Sequence, residues 1–206
     1  MAERIALIDY GAGNLRSVHN ALLAAGAGDV AVTDSADIVR AADRIVLPGV
    51  GAFGACMSGL SALPGMIAAL DEAVCRKNRP FLGICVGMQL MVDSSEEHGS
   101  HKGLGWIDGT VRPLAPSDPQ CKVPHMGWND VIPRGAPPLL EQGEAYFLHG
   151  YAVESDDGAD ILATTDHGGP VAAAIGRETM IGVQFHPEKS QRYGLALLER
   201  FLKWRP

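Results

Sequence analysis

Residues 79–91, with the sequence RPFLGICVGMQLM, constrain the fold of this chain more than any other stretch. The apolar run 80–84 is short enough for a buried strand, and 86–91 predicts the first turns of a helix. Cys85 lies at the junction, with a glycine two residues away on either side. This spacing is typical of a nucleophile elbow, where the glycines give the backbone room to turn sharply.

Cys85 is therefore predicted to be a nucleophile. A cysteine at a helix N-terminus lies beside free N–H groups and the positive end of the helix dipole, which favour the thiolate. The other cysteines, Cys56, Cys75 and Cys121, lack these surroundings, and we expect them to be structural or incidental. Because the four cysteines form no CxxC pair, they predict neither a disulfide framework nor a zinc site.

Length and charge restrict the possible partners. The 206 residues fit a single domain, residues 1–206. A net charge of −7 without a run of lysine and arginine argues against nucleic acid or an anionic membrane as the main partner. The N-terminus has no signal-peptide pattern, and no stretch approaches the roughly 20 apolar residues of a membrane span. We expect a cytoplasmic protein that binds a small polar substrate or another protein.

Strands alternate with helices in the first half of the chain. Predicted strands cover 5–8, 30–33 and 44–48, and predicted helices cover 15–25, 36–42 and 65–77. The second half has loops at 96–103, 113–120 and 133–143, strands at 110–112, 129–132, 145–148, 161–165, 171–175 and 181–185, and a helix at 194–203. This order predicts an α/β fold with a mixed, mostly parallel central sheet and helices on both faces.

The tripeptide His186-Pro187-Glu188 supplies a base for Cys85. Proline disfavours the helical conformation for the preceding residue, so His186 should be extended. Residues two apart on an extended chain face the same way, so the Glu188 carboxylate can orient the His186 ring. Because parallel strands end at one edge of the sheet, this histidine should lie near Cys85.

The segment 48–54, PGVGAFG, matches the GxGxxG pattern of dinucleotide-binding loops. A glycine-rich loop at the same sheet edge could instead direct backbone N–H groups at the oxygen that becomes negative when Cys85 attacks a carbonyl. The backbone of Val50 and Gly51 in the loop, with that of Val86 after the nucleophile, would form such an oxyanion hole.

With these motifs, the chain resembles the class I (triad) glutamine amidotransferases, whose nucleophile motif is GxCxGxQ and whose base and carboxylate come from HPE. It is similar in particular to the glutaminase subunits of imidazole glycerol phosphate synthases. The segments that carry the resemblance are DYGAGNLRSV at 9–18, PGVGAFG at 48–54, GICVGMQLM at 83–91, VPHMGWN at 123–129, YFLHGY at 146–151 and GVQFHPEKS at 182–190. VPHMGWN is the most discriminating, because glutamine hydrolysis itself does not require it.

The resemblance implies a flavodoxin-like fold and hydrolysis of glutamine to glutamate and ammonia, without cofactor or metal. Cys85, His186 and Glu188 would form the catalytic triad. Gln89 and the backbone near Gly51 and Tyr151 would hold the substrate.

One position departs from the family pattern. Gly150 replaces the serine or threonine that often follows the histidine of the YFxH segment. This change removes a side-chain contact to the α-carboxylate of glutamine.

The resemblance also implies a partner, a (β/α)8 barrel cyclase subunit that receives ammonia and makes imidazole glycerol phosphate and an aminoimidazole carboxamide ribonucleotide in histidine biosynthesis. Asn14, Arg16, Asn129 and Lys189 lie in matched segments without a catalytic task, and we assign them to the interface. Glutaminase activity would be weak without the partner. We hypothesise that the 49–50 peptide points its carbonyl into the oxyanion site at rest and flips on activation.

Three other interpretations stay open at the level of the sequence. Another class I amidotransferase or cysteine hydrolase could use the same triad on a different amide. A non-catalytic nucleotide or flavin binder has only the GxGxxG match in its favour. A catalytically inactive regulatory subunit is disfavoured, because all three triad residues are present.

Overall fold

A computed structural model describes residues 3–155 and 158–206, in which the strands form two sheets. The strands are β1 (Arg4–Ile8), β2 (Asp29–Thr33), β3 (Arg44–Gly49), β4 (Phe81–Cys85), β5 (Val92–Ser95), β6 (His101–Lys102), β7 (Ile107–Pro113), β8 (His125–Pro133), β9 (Gly143–His149), β10 (Tyr151–Glu154), β11 (Ile161–Asp166), β12 (Pro170–Arg177) and β13 (Met180–Val183). The large sheet has the order β2-β1-β3-β4-β13-β12-β11-β8-β9, and the small sheet has the order β10-β7-β5-β6.

The large sheet is parallel in one half and antiparallel in the other. Strands β2, β1, β3, β4 and β13 run parallel, whereas β12, β11, β8 and β9 pair antiparallel. All residues of β3 and β4 are buried, as expected for central strands covered on both faces. The prediction of an α/β fold with a mixed central sheet is confirmed, but the sheet is not mostly parallel, because four of its eight strand pairings among the described residues are antiparallel. The antiparallel half carries the proline- and glycine-punctuated part of the sequence.

The helices flank the sheet in two groups. They are α1 (Leu15–Ala24), α2 (Ala36–Ala41), α3 (Phe53–Ala62), α4 (Met66–Leu70), which continues as a π-helical segment (Asp71–Arg76), α5 (Val86–Gln89) and α6 (Gln191–Lys203). Helix α1 packs against α6, and α2 and α3 pack against α4.

Several elements differ from the sequence-based prediction. Helix α3 was not predicted, because it follows the glycine-rich segment directly and its small, apolar residues show no clear amphipathic period. Helix α6 begins three residues earlier than predicted. Strands β5 and β10 were also missed, and β6 lies within the predicted loop 96–103. Strands β5 and β10 pair with β7, and β6 pairs with β5, which sequence periodicity does not show.

The end of α6 is attached to the sheet by a buried arginine. Arg44, at the start of β3, is 1% exposed, and its guanidinium donates hydrogen bonds of 2.8 Å to the carbonyls of Phe201 and Trp204. Its Nε donates to a Glu3 carboxylate oxygen over 2.9 Å. Carbonyls at a helix C-terminus have few intrahelical partners, and this cation binds one in the last turn of α6 and one in the residue that follows the helix.

Among the helices in the described ranges, no single one is long and apolar enough to cross a membrane. Helix α3 together with α4 and its π-helical continuation meets the length and composition criteria only as a pair, which is bent by 90°.

Candidate active site

The strand-to-helix junction at Cys85 has the geometry of a nucleophile elbow. Cys85 has φ 55° and ψ −111°, a conformation that side-chain-bearing residues rarely adopt. A methyl group on Gly83 would come 2.6 Å from the Gly87 carbonyl oxygen, and one on Gly87 would clash with the Leu47 carbonyl. Close backbone packing therefore requires glycine at both positions, which explains the spacing of the two glycines around Cys85.

His186 and Glu188 lie beside this elbow. Strand β13 pairs parallel with β4, with Val183 opposite Ile84, so the chain leaves both strands at the same sheet edge. His186 is extended, with φ −101° and ψ 98°. Its Nδ1 lies 2.9 Å from Glu188 Oε1, and the side chains are 3% and 1% exposed.

The backbone of His186 is held by its neighbours. Its N–H donates to the Tyr146 carbonyl over 2.9 Å. Its carbonyl accepts a 2.6 Å hydrogen bond from the Ser190 hydroxyl, which itself accepts one from Tyr146 N–H. The position of the imidazole is thus fixed by Tyr146 on β9, by Ser190 immediately before α6, and by Glu188.

The charge environment of His186 favours the imidazolium. Burial lowers the pKa of His186, but hydrogen bonds to Cys85 and Glu188 and their negative charges outweigh burial and raise the pKa to about 9. An imidazolium next to a cysteine stabilises the thiolate, which is the nucleophilic form. The arrangement therefore fits an activated cysteine with a histidine that can move protons.

Cys85 and His186 line a cavity of about 160 Å³. The other lining residues come from the glycine-rich loop, α5, the β5–β6 loop, the end of β9 with the start of β10, and the turn after His186: Val50, Gly51, Val86, Gln89, Glu97, Leu148, His149, Gly150, Tyr151 and Lys189. The cavity thus brings together Cys85 and His186 of the predicted triad with the predicted oxyanion and substrate-binding residues, while Glu188 lies behind His186. Their assigned roles stay predictions.

The glycine-rich segment lies next to the nucleophile rather than forming a separate binding loop. Gly49 is opposite Cys85 in the β3–β4 pairing, and a methyl group on Gly49 would come 2.7 Å from the Gly87 nitrogen. The Tyr10 hydroxyl donates to the Pro48 carbonyl over 2.7 Å. Gly51 has φ 103°, a conformation that favours glycine. The predicted flip of the 49–50 peptide stays a prediction.

Gln89 is bound to protein groups through its amide nitrogen. Its Nε2 donates to the Tyr151 carbonyl over 3.1 Å and to Gln184 Oε1 over 3.0 Å. Both N–H groups of Nε2 are thereby used, and only Oε1 is left to accept from a substrate. The predicted contact with substrate therefore has to be made by the amide oxygen of Gln89.

Glu97 and Gln184 line or border the site, but the sequence analysis did not single them out. Glu97 Oε2 accepts a 2.6 Å hydrogen bond from Phe53 N–H at the start of α3, and this carboxylate lines the cavity. Gln184 is fully buried, and its Nε2 donates to Cys85 Sγ over 3.7 Å. Gln184 lies two residues before His186, in a segment that resembles the family, but nothing in that segment indicates a contact with Cys85. Glu97 lay in a predicted loop with no motif to mark it.

The predicted interface residues lie in different surroundings. Asn14 precedes α1 without a side-chain capping hydrogen bond among the described residues, and Arg16 is exposed on its first turn. Lys189 is exposed, with Nζ 5.8 Å from the Tyr146 ring centroid. Asn129 Nδ2 instead contacts His125 Nε2 at 3.0 Å and the Asp166 carbonyl at 2.8 Å. All four are thus exposed or partly exposed, and Asn129 is in addition held by hydrogen bonds within the protein.

Large apolar side chains are exposed on the strands next to the cavity. We call them the β8–β9 patch: Val123 (50% exposed), Met126 (67%), Trp128 (48%) and Leu148 (37%). Trp128 also makes an edge contact with Tyr146, at 6.2 Å between ring centroids. Neighbouring apolar residues at this level of exposure on a monomer are typical of a protein interaction site.

The four cysteines are free thiols. Cys56 is buried, as expected of a packing residue, and Cys75 is exposed. Among the described residues, no group of three histidine, cysteine or carboxylate side chains has an arrangement that could hold a metal ion.

Comparison with protein families agrees with this geometry. Residues 6–204 match the family model described as glutamine amidotransferase class-I. The chain therefore belongs to the class I glutamine amidotransferase family. The structure of PurLQS from Thermotoga maritima has the same fold, with a TM-score of 0.70 at 19% identity, covering 98% of this chain and 99% of that one.

Within this family, the chain belongs to the group of the imidazole glycerol phosphate synthase subunits HisH. It is 62% identical to that subunit from Zymomonas mobilis subsp. mobilis over 208 residues, which cover 100% of this chain and 98% of the relative. It is 50% identical to the subunit from Rhodospirillum rubrum, over 98% of this chain and 100% of the relative.

Proposed function

We propose that this protein hydrolyses glutamine to glutamate and ammonia, and passes the ammonia to a cyclase subunit in histidine biosynthesis. The observation that carries the proposal is the placement of Cys85, at a strained elbow, in one cavity with His186, whose buried ring contacts the Glu188 carboxylate. The names of its close relatives supply the biosynthetic context. The chain would work as one cytoplasmic domain, residues 1–206.

In the proposed reaction, the Cys85 sulfur attacks the side-chain amide carbon of glutamine, and the carbonyl oxygen becomes an oxyanion. Backbone N–H groups of Val86 and of the Val50–Gly51 loop would stabilise that oxygen. The His186 imidazolium donates its proton to the amide nitrogen, and ammonia leaves with formation of a thioester. His186 then takes a proton from water, which attacks the thioester and releases glutamate. Glu188 holds the imidazole orientation through both steps.

The cavity supports a binding mode for a zwitterionic amino acid. The Glu97 carboxylate accepts from Phe53 N–H and has further acceptor capacity, so it can bind the α-ammonium group of glutamine. Gln89 Oε1 can accept from the substrate amide. Because Gly150 has no side chain, the α-carboxylate has to be bound by backbone N–H groups near Gly150 and Tyr151, or by the Lys189 ammonium at the cavity wall.

We propose that the β8–β9 patch is part of the docking surface for a (β/α)8 barrel cyclase subunit. Leu148 belongs both to this patch and to the cavity, so a protein seated there would lie next to the site of ammonia release. Lys189 also lines the cavity and is exposed, which supports its assignment to the interface with Asn14 and Arg16. Direct transfer would protect ammonia from protonation in water, which would otherwise remove its nucleophilicity.

The test is glutamate production from glutamine by the protein and by Cys85→Ser, each with and without a cyclase subunit and its nucleotide ligand. Serine keeps a hydroxyl at the elbow but is a far weaker nucleophile, so activity is expected to fall by at least about 10³-fold. The protein with its liganded partner should be much more active than the protein alone.

Two outcomes would overturn the proposal separately. Undiminished turnover by Cys85→Ser would exclude Cys85 as the nucleophile. Equal turnover with and without the partner would leave a free-standing amidase and remove the coupled assembly.

A further inference from the structure

Two histidines outside the proposed triad form a buried pair between the exposed strand β8 and the cavity. His125 and His149 lie opposite one another in the β8–β9 pairing, and they are 4% and 6% exposed. His125 Nδ1 is 3.1 Å from His149 Nε2. The proposed chemistry uses neither ring, so the pair requires another explanation.

The contacts of the pair define which nitrogen carries each proton. His149 Nδ1 lies 2.9 Å from the Tyr151 carbonyl, which can only accept, so Nδ1 must bear the hydrogen. His149 Nε2 then accepts from His125 Nδ1–H. His125 Nε2 in turn accepts from Asn129 Nδ2, which is 3.0 Å away and is a donor only.

This order of donors requires both rings to be neutral, since an imidazolium has no acceptor nitrogen. Burial, together with repulsion by neighbouring histidines, lowers the pKa of His125 to about 4. Burial likewise lowers the pKa of His149 to about 4, despite its hydrogen bond to Tyr151. The electrostatic environment and the hydrogen-bond geometry therefore agree.

A second series of hydrogen bonds starts from the same Tyr151 carbonyl and ends at Cys85. Leu114 N–H donates to the Gly150 carbonyl. Successive carbonyls of a strand point in opposite directions, so the Tyr151 carbonyl points away from β7 and can accept hydrogen bonds from side chains. Gln89 Nε2 donates to that carbonyl and to Gln184 Oε1. Because Gln184 accepts through its oxygen, its NH₂ group faces Cys85 Sγ, at 3.7 Å.

We propose that Gln184 is a positioning residue for the Cys85 sulfur, held in place by a hydrogen-bond chain that extends through both histidines to Asn129 on β8. The amide–histidine chain consists of Asn129, His125, His149, the Tyr151 carbonyl, Gln89 and Gln184. The N–H that Gln184 donates to the sulfur stabilises the thiolate and fixes the direction in which the sulfur attacks. The interpretation of its purpose rests on the proposed glutaminase function.

The amide–histidine chain also connects β8 with the nucleophile. Met126 and Trp128 of the β8–β9 patch alternate with His125 and Asn129 on this strand, and the latter two are the less exposed. A protein docked on the exposed residues would therefore restrain the far end of the chain.

The first test measures the sulfur without glutamine. The protein and Gln184→Met are treated with iodoacetamide, and alkylation of each cysteine is followed by peptide mass spectrometry. Methionine has a similar length but no N–H, so alkylation of Cys85 should slow by about 10-fold, as expected for one lost hydrogen bond. Exposed Cys75 is the internal reference and should react at an unchanged rate. Equal alkylation of Cys85 in both proteins would overturn the assignment of Gln184.

The second test reads the proton positions by ¹⁵N NMR of the imidazole rings, which distinguishes Nδ1–H, Nε2–H and charged histidine. Both His125 and His149 should be neutral Nδ1–H tautomers. Asn129→Asp places an acceptor where the hydrogen-bond chain needs a donor, so His125 must carry a proton on Nε2, either as the imidazolium or as the Nε2–H tautomer, and its neutral Nδ1–H signal should disappear. Gln120→Glu, which adds the same charge on the exposed loop before β8, is the control and should change neither ring.

Two further variants separate positioning from packing. In His125→Asn, Nδ2 can take the place of the ring Nδ1, so His149 should keep its tautomer and Cys85 its alkylation rate. His125→Leu has no donor for His149 Nε2, so alkylation of Cys85 should slow, whereas the Tyr151 carbonyl still keeps the hydrogen on His149 Nδ1. An unchanged neutral Nδ1–H signal of His125 in Asn129→Asp, or a loss of Cys85 alkylation in His125→Asn equal to that in His125→Leu, would overturn the amide–histidine chain. Neither alkylation nor NMR needs glutamine turnover. A result against the amide–histidine chain is therefore distinguishable from a result against the proposed glutaminase function.

Discussion

Glu188 Oε1 lies 2.9 Å from His186 Nδ1 although only Pro187 separates the two residues. The extended conformation of His186 makes this contact possible, because alternate side chains of an extended segment face the same way. The other carboxylate oxygen, Oε2, is buried and has no hydrogen-bond partner among the described residues. The hydrogen bond to His186 is thus the one side-chain hydrogen bond of this carboxylate among the described residues.

Glu188→Gln should reduce catalysis without disturbing the fold. The amide is isosteric but uncharged, so it no longer stabilises the imidazolium that forms during proton transfer. Because general acid–base catalysis contributes about 10²–10⁴-fold, kcat for glutamate release should fall within that range. The measurement is steady-state glutaminase activity with the cyclase subunit present. Glu141→Gln, an exposed change on the surface, is the control, and equal kcat values for the two variants would contradict a role for Glu188.

The stability of the protein should fall as pH rises from about 6.5 to about 9. His186 has an ordinary pKa near 6.5 when unfolded and about 9 when folded. In this window the folded protein holds a proton that the unfolded chain has lost. The contribution to the free energy of unfolding is therefore complete below pH 6.5 and lost as pH passes through 9.

Urea unfolding at pH 6.5, 8 and 9.5 measures this effect, with His186→Gln as the reference that lacks the titrating group. The difference in the free energy of unfolding between the two proteins should shrink as pH rises. In Cys85→Ala, the pKa of His186 measured by NMR should fall, because the thiolate charge and hydrogen bond are gone. An unchanged pKa in Cys85→Ala would contradict a Cys85–His186 pair.

Gly87→Ala should distort the elbow. A methyl group at this position would meet the Leu47 carbonyl, a rigid backbone group of the neighbouring strand. Overpacking of this kind costs about 1–3 kcal/mol, and the shift of Cys85 should reduce kcat more than KM. Thermal unfolding and steady-state kinetics test both effects. Gly11→Ala is the control: its φ of 83° makes the added methyl group costly for stability, but no atom lies within 4 Å of that group, so kcat should be retained.

Trp128→Ala should weaken binding of the cyclase subunit and leave glutamine hydrolysis by the isolated protein unchanged. Trp128 is 48% exposed in the β8–β9 patch, and tryptophan is enriched among residues that dominate binding energy. We expect the Kd, measured by calorimetry, to rise by about 30-fold or more, since such residues contribute about 2 kcal/mol or more. Val32→Ala, an equally exposed apolar residue on the opposite edge strand, is the control. A Trp128→Ala complex as tight as the unmodified one would place the docking surface elsewhere.

Local sequence was sufficient for the parts of the site that are local in structure. The elbow at Cys85 follows from two glycines and the change from strand to helix, and the His186–Glu188 contact follows from one proline. Helix α3 was missed because its residues are small and its burial depends on neighbours from other parts of the chain. The same limit applies to β10, which exists through its pairing with β7.

The amino-acid sequence alone therefore determined the α/β class and the family, and it predicted the nucleophile and its base, because these depend on backbone conformation and on motifs of a few residues. Only the tertiary structure decided what surrounds them. Glu97 reaches the cavity from a loop 12 residues after Cys85, and Gln184 contacts a sulfur 99 residues away. His125 meets His149 because the β8–β9 register brings them opposite one another. Such contacts depend on strand pairing and packing between distant segments, and no short-range pattern encodes them.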